Sequence, residues 1–236
     1  MLVACHPEAV HPEAPRRPGS DPARVALTID DVARRVLAAV PTTTRALIAV
    51  DGVGASGKTS FARALARRIT TRPVVLLHAD DFLQPPAVRY ARGRYSPEGF
   101  WRDAFDTPAL RATLDHLAAA GDGRYRTSSG DPSDATGSGP STAPVDALVL
   151  VEGVFLHRDE LVDRWDLSVW LDVPPGEAAR RMVARDGLAP DDPRLERYAG
   201  AQRLYAAAAR PWEQASMVID VSDPAAMRVV DRPGPA

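Results

Sequence analysis

The run Val50-Asp51-Gly52-Val53-Gly54-Ala55-Ser56-Gly57-Lys58-Thr59-Ser60 constrains this chain more than any other stretch. It fits the pattern G-x-x-x-x-G-K-[ST], from Gly52 to Gly57-Lys58-Thr59. The apolar residues Ala46 to Val50 in front of it read as a buried strand that ends at Asp51. The segment behind it sets Phe61, Leu65 and Ile69 on one helical face. Strand, glycine-rich turn and helix in that order bring backbone N–H groups and a helix N-terminus to one small volume. That volume suits the β-phosphate of a nucleotide. Gly52, Gly54, Ala55, Ser56, Gly57, Lys58, Thr59 and Ser60 are therefore the expected nucleotide-binding residues. Lys58 is expected to neutralise the β/γ oxygens, and the Thr59 hydroxyl to join a Mg²⁺ shell.

Composition sharpens the assignment. Lys58 is the only lysine, every other position of that charge being arginine. An arginine fork is too broad and rigid to replace a compact ammonium inside a nest of amides. The formal net charge is -2, which implies neither a nucleic-acid surface nor an anionic-membrane surface. At 236 residues the chain can bury a substantial core as one domain, with or without a small lid. Cys5 is the sole cysteine, so neither a disulfide framework nor a cysteine metal site is expected. No apolar run approaches a membrane span. The first residues do not resemble a signal peptide, and a reducing cytoplasm is the expected location.

Prolines at positions 7, 12, 15, 18 and 22 mark residues 1–23 as a flexible extension, in which His6 and His11 read as ordinary exposed residues. A helix begins at Thr28, with Asp31 completing a capping-box variant and Val32, Val36, Leu37 and Val40 as its buried stripe. Pro73 to Phe82 reads as a second buried parallel strand leading into Asp80-Asp81. Ligands of open α/β sheets sit beyond the carboxyl ends of the strands, where Lys58 and Asp80 both emerge. A carboxylate there can take the proton of a substrate hydroxyl or hold a metal-bound water, and Asp80 is the preferred candidate of the pair. The connection from Gln84 to Asp106 gathers Arg94, Tyr95, Trp101 and other aromatic and ionic residues, as a wall around a substrate would. Thr107 and Pro108 start the next helix, whose apolar side is Leu110, Leu114 and Leu117.

Residues 121–144 read as a mobile loop with at most a short hairpin near Arg124-Tyr125-Arg126, and Tyr125 is a candidate substrate contact. A third buried strand, Val145 to Gly153, ends in Glu152, the expected magnesium-serving carboxylate. His157 reads as a capping or packing residue. Leu167 to Val173 is a fourth strand, and Pro174-Pro175 open a helix that runs through Arg181 and Arg185. A break at Pro190 to Pro193 and a second helix from Arg194 to Arg210 complete a hinged lid at about 176–210. Such a lid brings positive charge to a transferring phosphoryl group and excludes water. Ser216 to Val221 is the last core strand. A domain at 24–224 is followed by a tail at 225–236, with a short strand at Met227 to Val230.

In this order the motifs resemble the uridine kinase-like branch of the P-loop kinases, from roughly Arg45 to Pro224. The resembling features are the glycine-rich loop, Asp80-Asp81-Phe82, Asp103-Ala104-Phe105-Asp106, Val151-Glu152-Gly153, Arg180 to Asp186, Arg197-Tyr198 and Gln202-Arg203-Leu204-Tyr205. The resemblance implies an α/β, three-layer P-loop nucleoside triphosphate hydrolase fold with a mostly parallel central sheet and a helical lid. It implies ATP and Mg²⁺ as cofactors, with Thr59, Glu152 and Asp80 at the metal. It makes Asp80 the base for a nucleoside 5′-hydroxyl, gives Asp103 the ribose hydroxyls, and puts Arg181 or Arg185 at the phosphates. Arg94, Tyr95, Tyr125, Arg197 and Gln202 complete the expected acceptor contacts. Members with pyrimidine specificity carry a tyrosine- and histidine-containing hairpin where this chain has Tyr125 and a Gly/Ser/Pro-rich stretch. The expected acceptor is a nucleoside such as uridine or cytidine, or alternatively a pantothenate-like, sugar or related alcohol. Homo-oligomers are common in that family. A partner-activated NTPase is the other class considered.

Overall fold

The strand ahead of the glycine-rich turn, β1 (Ala46–Gly52), is buried at every position, as a strand covered on both faces must be. Its side chains alternate between two cores. Ala46, Ile48 and Val50 enter one, while Leu47 and Ala49 enter the other. The computed structural model describes residues 26–126 and 140–230. The expected extension at 1–23, with Cys5, His6 and His11, lies outside these residues, as do 127–139 of the expected loop and 231–236 of the tail.

α1 (Ile29–Ala39) precedes β1, and α2 (Lys58–Arg68) follows the loop. β2 (Val74–His78) then leads into a 3-10 turn, Ala79–Phe82, so Asp80 stands on the turn just beyond the strand. The connection contains α3 (Pro86–Arg89) and α4 (Pro97–Asp103), and α5 (Thr107–Leu117) ends it. A small hairpin, β3 (Arg124–Tyr125) with β4 (Ser141–Thr142), separates α5 from β5 (Leu148–Gly153). β6 (Leu167–Asp172), α6 (Pro175–Asp186), α7 (Pro193–Ala209), α8 (Pro211–Gln214), β7 (Met217–Asp220) and β8 (Arg228–Val229) follow.

The main sheet runs β2-β5-β1-β6-β7-β8, with all neighbours parallel except the antiparallel pair β7–β8. Val32 and Val36 of α1, Phe61 and Leu65 of α2, and Ala178 of α6 cover one face. Leu110, Leu114 and Leu117 of α5 cover the other. This is the expected three-layer α/β architecture. A third core on the α5 side is aromatic. Phe155 stands at its centre, with Trp101, Tyr205 and Phe100 rings 4.9, 5.1 and 5.5 Å away.

Local chemistry sets the helix ends. The Thr28 hydroxyl accepts the Asp31 N–H at 3.2 Å, and the Asp31 carboxylate accepts the Thr28 N–H at 2.9 Å, completing the expected capping box. At α5 the cap is Asp106 rather than Thr107: its carboxylate accepts the Ala109 N–H at 2.9 Å, a charge the positive helix end favours. The segment expected as a lid divides in two. α6 lies over the glycine-rich loop, whereas α7 buries Ala201 and Tyr205 in the aromatic core and belongs to the body.

The parallel register sets Val50 and His78 on either side of Glu152, so the carboxyl ends of β1, β2 and β5 share one rim. Close approach at Gly153 maintains that rim, because an added Cβ would collide with the Ala79 methyl group. Gly153→Ala is expected to cost about 1–3 kcal/mol in urea unfolding. Combining it with Ala79→Gly should recover part of that loss in a double-mutant cycle.

Candidate active site

The loop between β1 and α2 has the backbone that anion binding requires. Gly57 adopts φ 91°, a left-handed conformation that glycine reaches without strain, and a Cβ there would meet nothing within 4 Å. Ala55 also has positive φ, 60°, which is uncommon outside glycine and concentrates at ligand sites. The Ser56 hydroxyl is buried with no partner among the described residues. These groups border the N-terminus of α2.

Lys58 is only 8% exposed, and its ammonium donates to the Val53 carbonyl at 2.8 Å. Burial pulls its pKa down, while Asp51, Glu152 and Asp80 pull it back up. One Glu152 oxygen accepts the Thr59 hydroxyl at 2.8 Å and lies 2.7 Å from His78 Nδ1. Burial alone would push the Glu152 carboxyl up; the bonds from His78 and Thr59, with the Lys58 charge, outweigh it and hold the group below its ordinary value. His78 is correspondingly raised by that bond. Asp80 is raised, first by burial and then by the neighbouring Glu152 charge.

This donor set fits Mg²⁺ and a triphosphate. Magnesium prefers oxygen ligands, retains waters, and is held by one or two carboxylates together with substrate phosphates. No group of three or more His, Cys, Asp or Glu side chains among the described residues could hold a metal, so the missing ligands would have to come from phosphate and water. Thr59 and Glu152 already converge, with Asp80 beside them.

Two participants were not recognised in the sequence. His78 was read only as part of a strand, and its partnership with Glu152 follows from the β2–β5 register. Asp51 was read as a strand end, yet it is fully buried. One of its oxygens accepts the Leu156 N–H at 2.9 Å, the His157 N–H at 3.1 Å and the Tyr205 hydroxyl at 2.5 Å, and lies 2.8 Å from His157 Nδ1. The other accepts the Gly52 N–H at 2.7 Å. Burial and the Asp51 charge push the Tyr205 hydroxyl well above its ordinary pKa, so it remains a donor. His157 is thus a buried packing residue that braces the start of the loop.

The expected lid arginines part company. A Cβ at Gly54 would come within 2.8 Å of Met182 Cε, which places α6 directly on the loop. Arg185 pairs with Asp186 at 2.6 and 2.9 Å on the open side of α6, and its charge is felt weakly at Lys58 and Asp80. Arg181 instead bonds Glu177 at 2.7 Å and the carbonyls of Val221 and Ser222 at 3.0 and 2.7 Å, tying α6 to the end of β7.

The expected acceptor contacts also scatter. Asp103 is held by Arg92 at 2.7 Å. Tyr125 packs against the α5-side core, and Tyr95 is exposed. The buried Gln202 Oε1 has no partner among the described residues. Arg94 and Arg197 both approach the Tyr90 ring. A cavity of about 250 Å³ lined by Trp101, Arg158 and Ala208 includes no residue of the loop.

No family model matches the sequence, and no curated protein matches it. Solved structures do match. A possible uridine kinase from Bacillus stearothermophilus has TM-score 0.63 and 25% identity over 80% of this chain and 96% of that one. A protein provisionally assigned as a fructose transport system kinase from Silicibacter sp. TM1040 has TM-score 0.61 and 25% identity, over 80% and 95%. Phosphoribulokinase from Rhodobacter spheroides shares the fold at TM-score 0.54 and 17% identity, over 75% and 70%. The architecture is that of the uridine kinase-like P-loop kinases.

Tyr205→Phe removes a hydrogen bond to a buried carboxylate. It is expected to lower stability by about 1.5–3 kcal/mol, measured by urea unfolding.

Proposed function

We propose that this chain is an ATP-dependent kinase that transfers the γ-phosphoryl group to the primary hydroxyl of a small molecule. The observation that carries the reading is the convergence of Lys58, Thr59, Glu152 and Asp80 at the carboxyl ends of three adjacent strands, beside a loop shaped for phosphate. The loop amides and the Lys58 ammonium would hold the β and γ oxygens in a preorganised setting. Magnesium, when bound through Thr59 and Glu152, supplies further charge neutralisation at those oxygens.

Asp80 would accept the acceptor proton. As the acceptor oxygen bonds to the γ-phosphorus, the bond from that phosphorus to the bridging oxygen breaks, ADP leaves, and the hydroxyl proton passes to Asp80. Asp80 is open to solvent at the rim, where an acceptor can reach it, and partial desolvation together with the Glu152 charge raises its pKa above the ordinary value. Arg185, on the helix above the loop, would offset charge on the moving phosphoryl group. His78 would hold Glu152 in place.

A uridine or cytidine acceptor follows from the motif resemblance and is supported by the neighbour described as a possible uridine kinase. A non-nucleoside alcohol is favoured by a specific observation: Asp103, which the first reading assigns to ribose, is engaged by Arg92, and other arginines gather close by. No helix among the described residues is long and apolar enough to cross a membrane.

Lys58→Ala is expected to lower turnover about a hundredfold or more with an unchanged circular-dichroism spectrum. A folded variant with normal turnover would remove Lys58 from the mechanism. Asp80→Asn should suppress phosphorylated product, read by mass spectrometry across an acceptor panel, while leaving Mg·ATP affinity within about threefold. Equal product formation would move the base role to Asp81 or elsewhere.

A further inference from the structure

Three arginines around the Asp80–α5 connection find a carboxylate. Arg92 pairs with Asp103 at 2.7 Å, Arg102 with Glu98 at 3.0 Å, and Arg194 with Asp192 at 2.7 Å. Three do not. The guanidinium carbons of Arg89, Arg94 and Arg197 stand 4.9, 5.5 and 5.2 Å from the centre of the Tyr90 ring. Among the described residues no ion pair joins them to a carboxylate, and the buried Nε atoms of Arg89 and Arg197 have no hydrogen-bond partner.

Arg197 is the decisive member. It is 6% exposed, and its guanidinium lies 4.6 Å from the centre of the Phe100 ring as well. Aromatic faces attract a cation but offer no acceptor to its N–H edges. A buried charge without a counter-charge is costly, and three like charges around one ring repel. An oxyanion bound by the guanidinium edges, in the forked geometry that arginine favours, would relieve both penalties.

The place of the cluster says which molecule would bring that oxyanion. Arg89 closes α3, which follows the Asp80 turn. That turn is tied to the approach to α5 by the Gln84 N–H to the Ala104 carbonyl at 2.9 Å and the Asp106 N–H to the Phe82 carbonyl at 2.7 Å. Tyr198, next to Arg197, packs on the Phe100 ring at 4.9 Å and lies in the neighbourhood of Arg185, whose charge acts on Asp80. The cluster therefore belongs to the acceptor side of the rim.

We propose that Arg89, Arg94 and Arg197 bind an anionic group, a phosphate or a carboxylate, carried by the acceptor alcohol. The proposal rests on the kinase reading and adds the charge of the acceptor to it.

The test begins with protein loaded with magnesium and a non-hydrolysable ATP analogue, so that the glycine-rich loop is filled, and titrates inorganic phosphate by calorimetry. Saturable binding is expected, weakened about tenfold or more by Arg94→Ala or Arg89→Gln. Arg94 is exposed, so its loss spares the fold. No saturable binding by the unaltered protein, or equal binding by both variants, overturns the proposal.

Matched acceptors supply the second arm: glycerol against glycerate, pantothenol against pantothenate, and fructose against fructose 6-phosphate. The charged member of at least one pair should have a kcat/KM about tenfold higher or more. Arg94→Ala should erase that preference through the KM for acceptor, with the KM for ATP unchanged. The carboxylate and phosphate pairs tell the two anions apart. Equal use of charged and neutral partners overturns the proposal and leaves the kinase reading standing. Failure to bind the nucleotide analogue sinks the kinase reading instead, and phosphate titration of nucleotide-free Lys58→Ala protein still decides whether the arginines bind an anion.

Discussion

A single ammonium buried among carboxylates is the constraint around which the rest is arranged. Desolvation pulls the Lys58 pKa down, and the charges of Asp51, Glu152 and Asp80 oppose it. Those carboxylates come from three parallel strands or the turns directly after them, so the sheet register is what brings them together. Helices on both faces bury the strands that carry them, and Asp51, Lys58 and Glu152 are themselves buried, so those charges act at short range with little screening. Packing and electrostatics are here one requirement, since a strand out of register would leave an ion without its partner.

Much of the architecture is legible locally. The alternation in β1 shows directly in two separate cores, and Thr28 with Asp31 marks the start of α1 because the cap is a three-residue matter. The glycine-rich loop is legible for the same reason: its backbone needs glycine at a left-handed position, and Gly57 occupies one. The order of buried strands also suffices to predict a parallel sheet with ligands at its carboxyl end.

What escaped the sequence is long-range. Tyr205 lies 154 residues beyond Asp51, and no periodicity announces that their side chains meet. His78 looks like an ordinary strand residue until its partner in register is known. Arg181 and Arg185 are one helical turn apart and chemically identical, yet one satisfies the carbonyls beyond β7 and the other pairs with the neighbouring Asp186. Residue type foretells what a side chain can do; only the tertiary contacts decide which of several equivalent ones does it.

Helix α7 carries Tyr205, which holds the root of the glycine-rich loop, and Arg197, which lies over the Tyr90 and Phe100 rings. Roughly two turns of one rigid rod separate them, a spacing of about 12 Å fixed by helical rise. The rod acts as a ruler between the glycine-rich loop and the arginine–aromatic cluster. Adding or deleting a single residue within that span would swing one anchor about 100° away from the other, so evolution can change the side chains there far more freely than it can change their number.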